Sequence, residues 1–125
     1  MDNLYKEDFL YYYRNQDNKR NLSGKTHIGE SSNVSCGDSI KVELVVKNGN
    51  IVDVGYSSDG CMVSEVSASI MSEKLIGMKL AEVQNLSLQE YLNIVRLDLT
   101  VSREKCAMVF YDALTSVKKV KNVKN

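Results

Sequence analysis

The chain has no proline, no tryptophan and a single histidine, and its 125 residues carry no formal net charge. Sixteen basic side chains balance sixteen acidic ones, so nothing in the composition attracts nucleic acid or an anionic membrane. No apolar run approaches the length of a membrane span, and the N-terminus lacks the apolar core of a secretory signal. A soluble, cytoplasmic protein that binds neither membrane nor nucleic acid is therefore expected. Cysteine is also scarce, with three residues, and an odd number excludes a complete disulfide framework within one chain. In a reducing compartment such thiols stay free, bind metal or do chemistry. The lone His27 sits in a polar stretch and reads as solvated rather than as a ligand.

What remains suffices for one domain over residues 1–125, with enough apolar content for a core. Asp2 to Arg14 reads as an amphipathic helix, with Tyr5, Phe9 and Tyr12 or Tyr13 at helical spacing and Asp2 or Asn3 as its cap. Asn15 to Ser35 is polar and reads as loop, with room for one short edge strand. From Ser39 the period becomes two. Ile40, Val42, Leu44 and Val46 alternate with polar residues, and Val52, Val54 and Tyr56 form the apolar face of a second strand. Asn48-Gly49-Asn50 marks the turn between them. Keeping one apolar face requires Val42 opposite Tyr56, Leu44 opposite Val54 and Val46 opposite Val52. A three-residue loop is expected to give that register, and a bulge would give the same result.

Helical spacing returns after Cys61, with Met62, Val66, Ile70 and Met71 on one side and a stop near Gly77. Leu80 to Leu86 reads as a short helix. Ser87-Leu88-Gln89-Glu90 is a capping box for a helix running to about Leu97. A last helix after Ser102 buries Cys106, Phe110, Ala113, Leu114 and Val117. The basic residues from about 118 to 125 read as a frayed tail. The predicted fold class is α+β: a small antiparallel sheet, a hairpin plus one edge strand, with an N-terminal helix and C-terminal helices packed on it.

Each cysteine lies at the end of an element. Cys36-Gly37-Asp38 precedes the first clear strand, Asp59-Gly60-Cys61 follows the second, and Cys106 falls in the first turn predicted for the last helix. Thiolates bind borderline and soft metals, and a carboxylate can complete a tetrahedral set. On an extended segment Cys36 and Asp38 share a face, with Gly37 keeping the centre uncrowded. Cys61 and Cys106, placed at helix N-termini, would meet unpaired N–H groups that suit an anionic sulfur. Lys105 adds positive charge beside Cys106, and Asp59 opposes it beside Cys61. Spacing alone leaves two readings open: three buried structural cysteines, or one common site.

These motifs, in this order, resemble the IscU/SufU/NifU-type iron–sulfur scaffold family over nearly the whole chain. The resemblance rests on Cys36-Gly37-Asp38 before a strand, Asp59-Gly60-Cys61 opening a helix rich in serine and alanine, and Lys105-Cys106-Ala107. It implies that Cys36, Asp38, Cys61 and Cys106 hold zinc or a nascent [2Fe–2S] cluster. It also implies a cysteine desulfurase as sulfur-donating partner, with chaperones and apo-protein clients downstream. The implied function is a cluster assembly scaffold; the alternative is a zinc-dependent sulfur acceptor of the SufU kind, a sulfurtransferase rather than a carrier. Cys106, ahead of Cys61, is the candidate acceptor. Lys105 resembles the SufU branch, whereas the short interval between Cys61 and Cys106 resembles the IscU branch. Asn15-Gln16-Asp17-Asn18 lacks the proline usual in the family's N-terminal loop, and Ser58 stands where glycine is usual. A third reading is a structural zinc domain without sulfur chemistry.

Overall fold

Alternating apolar residues do form a hairpin, and the sheet extends on its far side. The computed structural model describes residues 6–33, 37–95 and 101–120, with the side chains of 6 and 101–104 outside the description. In chain order the elements are α1 (Lys6–Arg14), β1 (His27–Asn33), β2 (Asp38–Lys47), β3 (Asn50–Asp59), α2 (Met62–Leu75), α3 (Leu80–Gln84), α4 (Leu88–Val95), α5 (Val101–Thr115) and β4 (Lys118–Lys119). The sheet has four strands in the order β3-β2-β1-β4, and each neighbouring pair is antiparallel. This is the α+β class expected. The predicted caps Asp2 and Asn3, and the predicted end of α4 at Leu97, lie outside the described residues.

The hairpin register matches expectation where burial is deepest, with Val42 opposite Tyr56 and Leu44 opposite Val54. Near the turn it differs. Lys47 pairs with Asn50 around a two-residue turn, and a bulge between Val45 and Val46 sets Val46 against Ile51. Asn48 and Gly49 both have positive φ, 54° and 79°, as a primed hairpin turn needs. The expected three-residue loop is therefore corrected to a two-residue turn plus a bulge. Ile51 takes the buried place predicted for Val52, which is 44 % exposed.

The bulge also changes which β3 amides face away from β2. The Ile51 N–H donates to the Met78 carbonyl, and Gly77 N–H returns to Ile51. Further along, Val54 N–H is held by the Asp53 carboxylate and Tyr56 N–H by the Asn18 carbonyl.

β1 is longer than the short edge strand expected, and it lies inside the sheet order because β4 covers its first residues. Two expectations change with it. His27 opens β1 opposite Leu44 and Lys119, with Nδ1 2.8 Å from Thr26 Oγ1. Burial, and then the Lys119 charge, lower its pKa from the ordinary imidazole value. The tail expected to fray from residue 118 instead begins as a strand, and Val120 N–H continues it onto the Thr26 carbonyl. Backbone hydrogen bonds to β1 outweigh the charge repulsion of the lysines. Residues 121–125 lie outside the described residues.

One face of the sheet packs on α2 and α5 around Val42, Leu44, Val54, Tyr56, Val66, Phe110 and Leu114, all fully buried. α2 is buried almost all round, its small Ser67, Ala68, Ser69 and Ser72 admitting close neighbours, while Met62, predicted to be buried, is 39 % exposed. α5 crosses β1 at Gly29, where a Cβ would lie 2.1 Å from the Ala113 carbonyl oxygen. The predicted capping box is present. Glu90 N–H donates to Ser87 Oγ at 3.1 Å, and Ser87 N–H donates to Glu90 Oε1 at 3.0 Å.

The second face, which carries the alternating polar residues, is partly roofed by residues 15–26. Gly55 lets the Arg20 carbonyl and Leu22 sit directly on β3. Under this roof Glu43 is only 2 % exposed, accepting from Leu22 N–H at 2.8 Å and pairing with Lys25 at 3.1 Å. Burial alone would raise its pKa. The Leu22 hydrogen bond and Lys25 outweigh that, and the carboxyl titrates below its ordinary value of 4.5. A depressed folded-state pKa contributes stability that is complete above the unfolded value and is lost as pH falls through the folded one. Glu43→Gln should therefore flatten the acid limb of stability. Its urea midpoint should fall less between pH 6 and about pH 3 than that of the parent chain; parallel declines would refute this.

Candidate metal centre

The start of β2, the start of α2 and the second turn of α5 meet at one place, each delivering one side chain. Gly37, with φ of 71°, turns the chain into β2 in a conformation that favours glycine. Asp38, the next residue, pairs with Asn33 of β1 and is 2 % exposed. At the far end of β3, Gly60 leads into Cys61, the N-cap of α2. A Cβ at Gly60 would meet Asp38 Oδ1 at 2.8 Å and Ser64 Oγ at 3.1 Å, so the absent side chain makes room for the carboxylate. Cys106 projects from α5 at 7 % exposure, beside Val63 and Ala107, with partly buried Cys61 against the same cluster.

One ligand atom each from Asp38, Cys61 and Cys106 lies within 4.8 Å of the others. Donors around a tetrahedral zinc, bound at about 2.0–2.3 Å, sit roughly 3.5 Å apart. Modest side-chain rotation closes that gap, and the donor set of one oxygen and two sulfurs is chemically apt for zinc or iron. The fourth predicted ligand, Cys36, lies outside the described residues. Its chain neighbour Gly37 is described, immediately before Asp38.

Hydrogen bonds fix the carboxylate. Cys61 N–H donates to Asp38 Oδ1 at 3.0 Å, and Ser64 Oγ donates to Asp38 Oδ2 at 2.7 Å. The Cys61 sulfur is 3.7 Å from Oδ2 and 4.0 Å from Ser64 Oγ, which also lies 3.2 Å from the Cys106 carbonyl oxygen. Ser64 reads from sequence only as a small packing residue. Its three-residue offset from Cys61 on a helix was the available signal, because that spacing puts both on one face.

One expectation about the sulfurs changes. α5 begins at Val101, which puts Cys106 in its second turn, beyond the helix-end N–H groups predicted to face it. Cys61 does occupy a helix N-terminus. Next to it, Glu65 is a second residue whose role the sequence hides. It is 4 % exposed, paired with Lys19 and accepting from Ser58 Oγ. The loop from Asn15 to Asn18 is thereby tied to α2, with Asn18 Nδ2 also donating to Ser72 Oγ.

Known proteins resemble this chain in sequence and in fold. Residues 4–124 match the family model of the NifU-like N terminal domain. The iron–sulfur cluster assembly scaffold protein IscU of Thermotoga maritima is 36 % identical over 83 residues, covering 66 % of this chain and 58 % of that protein. The zinc-dependent sulfurtransferase SufU of Bacillus subtilis is 26 % identical over 87 residues, covering 70 % and 58 %. The chain thus spans a little under three-fifths of these two relatives. Among solved structures, the N-terminal part of a NifU-like protein from Brucella abortus shares the fold. Its TM-score is 0.73 at 18 % identity, covering 89 % of each chain.

Proposed function

The chain belongs to the NifU-like N terminal domain family, and on that premise we propose that it is an iron–sulfur cluster assembly scaffold. In this reading residues 1–125 act as one unit that receives sulfur from a cysteine desulfurase. It holds a transient [2Fe–2S] cluster or its iron on Cys36, Asp38, Cys61 and Cys106, then passes the cluster to apo-protein clients with chaperone help. The observation that carries the reading is the convergence of Asp38, Cys61 and Cys106 within 4.8 Å.

Sulfur would arrive by thiol chemistry. A cysteine thiolate of this chain attacks the outer sulfur of the donor's persulfide, forming a new S–S bond. The donor's own S–S bond breaks, and its cysteine leaves as a thiolate. Cys61 and Cys106 are the acceptor candidates. Partial exposure at the start of α2 favours Cys61 as the first to be reached, against 7 % exposure for Cys106, so this reading puts Cys61 ahead of the Cys106 expected from Lys105 and a helix terminus. Lys105 itself is exposed and suits the approach of an anionic persulfide.

The similarity to the Bacillus subtilis sulfurtransferase supports a second reading. There, a resident zinc would hold Asp38 and the thiolates, and the chain would relay sulfur without building a cluster. Elemental analysis of protein purified without oxygen or chelator separates the two. Iron with acid-labile sulfide is the expected result for the scaffold. About one zinc per chain that survives desulfurase turnover would favour the relay. If neither metal is present and neither can be restored, both readings fail.

A further inference from the structure

A carboxylate ligand is only as good as its orientation, and here the orientation has an identifiable source. Asp38 Oδ1 accepts from the Cys61 N–H at 3.0 Å. Ser64 holds the other oxygen: its hydroxyl donates to Oδ2 at 2.7 Å, leaving that oxygen 3.7 Å from the Cys61 sulfur, and donors on both oxygens resist rotation of the carboxylate. Besides the Ser64 hydroxyl, Oδ2 faces the Cys61 thiol, whose proton a bound cation would replace. Ser64 is 2 % exposed, and water does not compete freely for its proton. The other acceptor within reach, the Cys106 carbonyl at 3.2 Å, is uncharged and more distant, so the carboxylate wins the hydroxyl proton. Gly60 completes the arrangement, because any side chain there would press on both Asp38 and Ser64.

We propose that Ser64 is a positioning residue of the metal centre: its hydroxyl, in space left by Gly60, fixes Asp38 with Oδ2 facing the Cys61 sulfur, and so raises affinity for a thiophilic divalent cation such as zinc. The proposal rests on the reading of Asp38 as a ligand, and the test separates the two. Outer-sphere partners of this kind are worth about 10–100-fold in metal affinity.

Zinc affinity would be measured by competition with a chromophoric chelator for the parent chain, Ser64→Ala, Asp38→Ala and the double variant, with Gly60→Ala alone and in the Asp38→Ala background. Ser64→Ala should weaken zinc by at least tenfold in the parent chain and by less than twofold when Asp38 is already alanine. Should Ser64→Ala fail to fold, exposed Gly60→Ala carries the test and should show the same dependence on Asp38. Equal losses in both backgrounds would overturn the proposal, since a general structural role is additive. No loss from either variant, while Asp38→Ala weakens zinc, would also overturn it. If Asp38→Ala leaves zinc affinity unchanged, the ligand reading falls and takes the proposal with it.

Discussion

Gly29→Ala should destabilise the chain by about 3 kcal/mol or more, near the upper end of what overpacking by one methyl costs. The added Cβ would lie 2.1 Å from the Ala113 carbonyl oxygen and 2.8 Å from Val117 Cγ2. The valine could rotate away. The carbonyl cannot, because it belongs to the backbone of α5, so the helix and β1 must separate. β1 is in turn fixed by pairing with β2 over its whole length, and the strain falls on α5. With an m-value of about 1–2 kcal/mol/M in urea, the unfolding midpoint should drop by at least 1 M. Cys106 rides on the same helix about two turns upstream of Ala113. Zinc affinity should therefore fall with stability, although Gly29 touches none of the donors. A midpoint within 0.3 M of the parent, roughly half a kcal/mol, would show that the two elements part at little cost.

Cys61→Ser is expected to have the largest effect on function. Zinc sites with four ligands are worth about 10–16 kcal/mol in peptides, so one thiolate accounts for roughly 3 kcal/mol, on the order of a hundredfold in affinity. Serine keeps the size of cysteine but is a poor ligand near neutral pH, so the backbone N–H to Asp38 and the start of α2 should survive. The same variant tests the acceptor role. After incubation with a cysteine desulfurase and free cysteine, mass spectrometry of proteolytic peptides should find added sulfur on Cys61 in the parent chain. Uptake should fall at least tenfold in Cys61→Ser and less in Cys106→Ser, whose sulfur is more deeply covered. Normal uptake by Cys61→Ser, with loss in Cys106→Ser, would restore Cys106 as the acceptor.

Local chemistry made much of this fold legible. The two central hairpin pairs follow from alternation, and the box at Ser87 and Glu90 from a four-residue pattern. What escaped depends on partners distant in sequence. His27–Asn33 has weak alternation and an internal glycine, and it becomes a strand because β2 lies along it and α5 crosses it. Glu43 has a surface residue's charge, and its burial is imposed by Leu22 and Lys25 from the preceding loop. Ile51 replaces Val52 because one bulge shifts the phase of two similar side chains. At the metal centre, residue types pointed to Asp38, Cys61 and Cys106, which the fold brings together. Ser64 stayed hidden among several serines of one helix, since only the third dimension shows which of them faces the carboxylate.

The way β3 closes its outer side also bears on how the chain behaves at high concentration. A bare strand at the margin of a sheet is a template on which another copy can assemble, and proteins commonly guard it. Here the guard is distributed: Met78 caps the Ile51 amide, the strand's own Asp53 caps Val54, and Asn18 caps Tyr56. Two caps are backbone carbonyls from different loops and the third is a carboxylate of the strand itself, so no single loop opening would expose a run long enough to recruit a neighbour. Fibrous self-association through this margin is thus discouraged by the backbone itself, and a protein without net charge has little electrostatic repulsion to do that work instead.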